Sequence, residues 1–332
     1  MTIAESLPLF YGALAVSVPT FAWVVLGLVL RRLGLVSQQM IGTVSRLSFT
    51  YGLPLMLFTG AAQVDYARLS TARYLLAGVL GTGLTLALAW SYSRWRGHPR
   101  ALQGIFVQAA FRSNLAIVGL GLAVSAYGER GPLLAALPVA LLTALYNVLA
   151  VWVLNSTLGG GTSPLALLAG IARNPLIIGI GAGVLLSVSP LPVPALVAPA
   201  GRWLSAFFLP LMLVCIGGAM QLSKLRGTGS LAWEATAWRL CIGPLLTVLL
   251  ALAMGVRGEP LGVLFLLISS PVAAASFVMV VAARGDGVLA ANIVVLTTLL
   301  SIATVTLGFF LLTLFSLVGQ QEEAQQIGRA HV

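Results

Sequence analysis

Apolar residues in this chain come in long blocks rather than in alternation. Runs near the ~20 residues a helix needs to cross a hydrocarbon core fall at about 8–30, 42–63, 73–92, 101–126, 132–154, 175–189, 196–219, 233–255, 260–282 and 288–318. The pattern predicts an all-α polytopic membrane protein with about ten transmembrane helices. A β-barrel is excluded, because its strands would alternate apolar and polar residues. Asn174-Pro175 gives the sixth run a capped start with proline at the first helical position. The piece 164–173 ahead of it reads as an interfacial helix, and Gly159-Gly160-Gly161-Thr162 as a flexible linker.

The fourth run is not uniform. Arg112-Ser113-Asn114 interrupts it about halfway through, and an ionisable residue at that depth is by default a functional-site candidate. The spacing predicts a helix broken there to hold something anionic. The two halves also repeat. Leu53-Pro54-Leu55-Met56-Leu57 matches Leu209-Pro210-Leu211-Met212-Leu213, 156 residues on, and the same shift pairs Pro19 with Pro175, Gly27 with Gly183, Arg46 with Arg202, Arg68 with Lys224 and Leu69 with Leu225. Five spans per half is an odd number, so the second half must sit upside down relative to the first. Inverted repeats with interrupted helices in corresponding positions mark a transporter and its site.

Shifted by 156, Ser113 and Asn114 land on Ser269 and Ser270, followed by Pro271. Ser270 then reads as an N-cap and Pro271 as a first helical residue. Both the fourth and ninth spans are therefore predicted as two half-helices joined by an unwound stretch. Paired half-helix N-termini near the midplane would present free N–H groups and positive dipole ends, which suits an anion.

Composition agrees with a bilayer as solvent. Of 332 residues 59% are hydrophobic and 8% charged, against about 25% charged in soluble domains. The net charge of +10 does not mark a nucleic-acid binder, since the Lys and Arg sit between apolar runs and meet lipid headgroups. With the N-terminus outside, eleven basic residues, Arg239 among them, fall inside and six outside, with Arg112 alone near the midplane. The start carries no basic segment before Glu5, so the first apolar run is expected to stay as a helix. Cys215 and Cys241 read as packing residues. All eight acidic residues fall at predicted loops or span ends. A cation/proton antiporter would want a buried carboxylate, so that reading is disfavoured. No nucleotide loop, metal cluster or nucleophile–base pair appears, so neither an enzyme nor a cofactor is expected. His98 and His331 receive no role.

Arg112-Ser113-Asn114 followed by Gly119, Asn174-Pro175, the Leu-Pro of the second and seventh runs, and Ser270-Pro271 with its Ala-rich turn together resemble the auxin efflux carrier family. The resemblance covers roughly 8–318. Bacterial members of that family are described as permeases for malonate, malate and related organic anions. It implies a 5+5 inverted-repeat fold with crossed, broken helices 4 and 9, as in bile-acid transporters and sodium/proton antiporters. It further implies a scaffold of helices 1, 2, 6 and 7, a transport domain of helices 3–5 and 8–10, elevator-type alternating access, a homodimer and the bacterial inner membrane. Residues 1–158 would form the first repeat, 159–173 the linker and interfacial segment, 174–318 the second repeat and 319–332 a polar tail. The family's Asn at the fourth-helix crossover is matched by Asn114, and one in the fifth helix by Asn147. Its Asn after the ninth-helix proline has no match in Val272-Ala273-Ala274-Ala275-Ser276, where Ser276 is the only polar substitute.

The candidate substrate-binding set is Arg112 for charge, Asn114 and Asn147 for direction, and Ser113, Tyr146, Ser269, Ser270, Pro271, Ser276 and Thr59 around them. Interhelical hydrogen bonding alone would explain Tyr146-Asn147, and packing alone Thr59 and Ser276. The expected function is a secondary carrier of a small organic carboxylate, with H+ or Na+ coupling left open. The alternatives are a sodium-coupled symporter of the bile-acid type and a membrane sensor that binds the anion without moving it.

Overall fold

The computed structural model describes residues 3–63, 71–159, 172–220 and 229–318, with the single positions 165 and 169. The Gly160-Gly161-Thr162 linker, most of the proposed interfacial helix, the Arg68–Lys224 and Leu69–Leu225 pairs, and the tail from 319 lie outside the described residues. Among those described, the chain is helical throughout, and the one β-type contact is an isolated bridge.

In chain order the helices are α1 (Ile3–Arg32), α2 (Gln38–Leu47), α3 (Leu53–Ala62), α4 (Thr71–Trp95), α5 (Arg100–Phe111), α6 (Leu120–Tyr127), α7 (Arg130–Leu158), α8 (Pro175–Val188), α9 (Val197–Ala219), α10 (Ser230–Ala237), α11 (Gly243–Ala253), α12 (Glu259–Ile268), α13 (Ala274–Ala282) and α14 (Gly287–Leu314). Among the described residues, six helical stretches are long and apolar enough to cross a membrane: Leu7–Arg32, Arg73–Trp95, Arg130–Leu158, Val197–Ala219, Ser230–Ala253 and Gly287–Leu314. Leu115–Tyr127, Pro175–Val188 and Glu259–Ile268 are shorter apolar helices.

Local chemistry explains several boundaries. Ser37 caps α2 by accepting the Met40 N–H at 3.1 Å. Asn174 caps α8 by accepting the Leu176 N–H at 2.9 Å, as its sequence predicted. Asp286 caps α14 on the N–H groups of Val288 and Leu289. Two π turns join shorter helices into longer rods. Ser48–Gly52 links α2 to α3 and Trp238–Ile242 links α10 to α11. Each ends two residues before a proline, Pro54 and Pro244. A proline has no N–H for the residue one turn back, and widening that turn accommodates the gap.

Backbones approach closely where side chains vanish. A Cβ on Gly217 would lie 1.7 Å from the Val24 carbonyl oxygen, and one on Gly27 would lie 2.0 Å from that of Val214. These glycines seat α1 against α9. Gly179 and Gly183 likewise seat α8 against the α3 carbonyls of Pro54 and Phe58. Where lipid removes the usual hydrophobic drive between helices, such small-residue contacts carry the packing.

Candidate functional site

The fourth and ninth apolar runs are both broken, and the breaks touch. Helix α5 stops at Phe111 and α12 at Ile268. Between them Ser113 and Val272 form an antiparallel bridge. The Asn114 N–H donates to the Pro271 carbonyl at 2.8 Å, and the Ala273 N–H to the Arg112 carbonyl at 3.2 Å. The Val272 N–H is taken by Thr297 Oγ1 at 3.2 Å, from α14. Each unwound segment thus satisfies the other's backbone, which is what non-helical chain needs away from water.

Past the bridge both chains become helical again. A π turn over Leu115–Gly119 leads into α6, closing with the Gly119 N–H on the Asn114 carbonyl at 2.9 Å. On the other side α13 starts at Ala274. The first turns of these halves are where a helix leaves N–H groups unpaired. Ser276, in the first turn of α13, is buried, and its hydroxyl has no partner among the described residues.

Arg112 lies at this crossover, 6% exposed. It turns inward onto α7: Nη1 donates to the Tyr146 carbonyl at 3.0 Å and Nη2 to Asn147 Oδ1 at 2.8 Å. The Ser113 hydroxyl bonds the Tyr146 hydroxyl at 3.1 Å. The sequence-predicted set Arg112, Ser113, Tyr146 and Asn147 is therefore one hydrogen-bonded group, and Asn114 and Pro271 join it through the backbone. The Nε of Arg112 is buried without a partner among the described residues, so the guanidinium has donors left for a ligand.

Other expectations are corrected. Ser270 does not cap the second half of the ninth run. Its hydroxyl donates back to the Leu267 carbonyl at 2.8 Å, Ser269 bonds the Phe265 carbonyl in the same way, and Pro271 is not a first helical residue. The helix resumes three residues later, with Ala273 as its N-cap and no side-chain cap bond. The reason is the bridge, which holds 271–273 extended. Asn114 occupies the N-cap position of its half-helix but makes no capping bond through its side chain. Thr59 is buried and donates to the Met56 carbonyl at 2.7 Å. It lines a different feature, a cavity of about 390 Å³ between α1, α3, α6, α7 and α9. Thr20, Gln63, Ser125, Glu129 and Arg202 also border it. Its wall includes α6, the half-helix that follows the crossover.

The buried charge also differs from the sequence expectation. Arg239, expected in an inner rim of basic residues, is 2% exposed. It sits in the π turn between α10 and α11 and reaches the crossover. Nη1 donates to the Ala110 carbonyl at 3.2 Å and Nη2 to the Ile268 carbonyl. Arg112 is thus not the sole buried cation. Neither arginine pairs with a carboxylate among the described residues: Glu234 meets Arg96 and His98, Glu259 meets Arg130, Glu129 meets Arg202, and Asp286 caps α14. His98, which was given no role, lies in a cluster with Tyr92 and Glu234 that ties α4 to α10.

The sequence compares with known families over nearly its full length. A family profile described as "Membrane transport protein" matches residues 14–309. The chain belongs to this membrane transport protein family. A similar protein from Methanothermobacter thermautotrophicus, named "Uncharacterized transporter", is 23% identical over 300 residues, covering 90% of this chain and 98% of that protein. Another from Rhizobium meliloti, named "Putative malonate transporter", is 28% identical over 309 residues, covering 87% of this chain and 92% of that protein. Membership establishes a multi-pass transporter and not an enzyme, and it agrees with the resemblance to auxin efflux carriers read from the motifs.

Proposed function

We infer that this transporter moves a small organic carboxylate across the membrane by elevator-type alternating access, bound at the crossover beside Arg112. The observation that carries the reading is the pairing of two unwound segments inside two apolar runs, with a buried guanidinium attached to one of them. Such a site offers a fixed positive charge and the N-terminal ends of two half-helices to an anion. The malonate in the name of the Rhizobium meliloti relative fits that chemistry.

The fold proposed with it is ten spans in two inverted five-helix repeats, residues 1–158 and 174–318. Helix boundaries support this: shifted by 156, Arg130–Leu158 falls almost on Gly287–Leu314, and the stop at Phe111 almost on the stop at Ile268. The glycine seams between α1 and α9 and between α3 and α8 support a scaffold built from spans 1, 2, 6 and 7. Spans 3–5 and 8–10 would move as the transport domain. The cavity of about 390 Å³ lies between α1, α3 and α9 on one side and α6 and α7 on the other, which suits a route for the anion along that boundary.

Uptake of radiolabelled malonate and a panel of mono- and dicarboxylates into proteoliposomes tests the reading. Saturable, concentrative or exchange-stimulated uptake that is lost in Arg112→Gln is the expected result. Saturable binding with no flux by any substrate would instead select the ligand sensor.

A further inference from the structure

We propose that Arg239 is a built-in countercharge standing where the crossing half-helices would otherwise draw an inorganic cation. The consequence for coupling, that the carrier needs no sodium at this position, rests on the transport reading above; the countercharge itself does not.

Two helix ends meet there. Ala110 lies in the last turn of α5 and Ile268 closes α12. The last four carbonyls of a helix have no intrahelical partner, and each helix end carries roughly half a negative charge. Two such ends brought together amount to about one negative charge, buried, with exposed oxygen lone pairs. One guanidinium matches it. Arg239 donates one N–H to each of the two carbonyls and belongs to neither helix.

The surroundings are those of a cation. Around Arg239, Thr82, Thr85 and Thr247 border a small space together with Tyr146. Each threonine hydroxyl donates its hydrogen to a carbonyl of its own helix, at Gly78, Gly81 and Gly243. Their remaining lone pairs are therefore acceptors. An oxygen-lined space at two helix C-termini is what a hard cation such as sodium seeks, and here a side chain already fills it. Arg112 is placed differently. It lies beyond the C-terminus of α5 and is held by α7, with Nε unpartnered. The two arginines are not duplicates: one neutralises helix ends and the other is available to the anion.

The test reads melting of the purified protein in detergent and needs no substrate, so it stands even if no transported anion is found. Arg239→Met removes the charge at similar volume and leaves two buried carbonyls unpaired, for an expected fall in Tm of about 10 °C. Millimolar methylguanidinium should restore part of that fall in the variant while leaving the wild type unchanged. Arg239→Lys keeps the charge and should recover at least half of it. Wild-type melting should be the same in sodium chloride and choline chloride. The proposal is overturned if the methionine variant melts with the wild type, if the lysine variant is as damaged as the methionine variant, or if sodium raises the wild-type Tm. A methionine variant that cannot be purified beside a lysine variant that can supports it.

Discussion

Replacing Arg112 with glutamine should weaken carboxylate binding far more than the same change at an exposed arginine. The guanidinium uses two of its N–H groups on Tyr146 and Asn147, at 3.0 and 2.8 Å. Three of its five donors remain. A carboxylate about 4 Å from that charge, at an effective dielectric of ~20, gains about 4 kcal/mol. Glutamine keeps a hydrogen-bonding amide but no charge, so between about half and all of this is lost. That corresponds to a roughly 30- to 1,000-fold rise in Kd. Arg130, paired with Glu259 at 2.8 Å and with its side chain 64% exposed, sets the comparison. A pair so exposed is worth at most about 1 kcal/mol, and Arg130→Gln should change Kd by less than about fivefold. Calorimetric titration of malonate into purified protein measures both, with ligand-free melting as the check on folding and Arg112→Lys as the variant that keeps charge. Equal losses at the two arginines, or an Arg112→Gln Kd within fivefold of the wild type, would refute the role assigned to this residue.

Other substitutions test the framework around it. Gly217→Ala would drive a Cβ into the Val24 carbonyl and should cost about 1–3 kcal/mol, read as a lowered Tm. Gly83→Ala meets nothing within 4 Å and should leave stability unchanged or raise it by up to about 1 kcal/mol through helix propensity, read as an unchanged or higher Tm. Tyr146→Phe breaks the bond to Ser113 and should cost about 1 kcal/mol. A double-mutant cycle with Ser113→Ala should then recover most of that as coupling, and additive losses would deny the contact. Thr297→Val strips the acceptor from the buried Val272 N–H. It should destabilise by about 1–3 kcal/mol, while Thr304→Val, half-buried on the same helix with its hydroxyl bonded only to carbonyls of that helix, should cost less than about 1 kcal/mol.

Much of the crossover was readable in the sequence, because polar residues inside an apolar run are costly and must have a reason. Arg112, Ser113 and Asn114 showed where one helix stops, and Tyr146 and Asn147 were legible as polar residues of the right kind in the next span. The cap at Asn174 followed from its own local chemistry. Ser270 misled for a physical reason. A serine before a proline favours a helix start, but the partner strand 112–114 claims the following residues, and no local pattern reveals a partner 159 residues away in the bridge from Ser113 to Val272. Arg239 was missed because a cation two turns into a run resembles the basic rim that orients membrane helices. Its burial comes from α5 and α12 folding over it. The signal available was its position within the 233–255 run rather than beside it.

One detail of the bridge bears on how such a carrier would be driven. Main-chain atoms, not side chains, stitch residues 112–114 to 271–273, so any displacement of one strand drags its neighbour along unaltered. A binding pocket inherited whole by every conformation would present the same intrinsic affinity to both compartments. Saturation would then set in at the same solute concentration on either face, and the two directions of transport would differ only through solute gradients and membrane voltage.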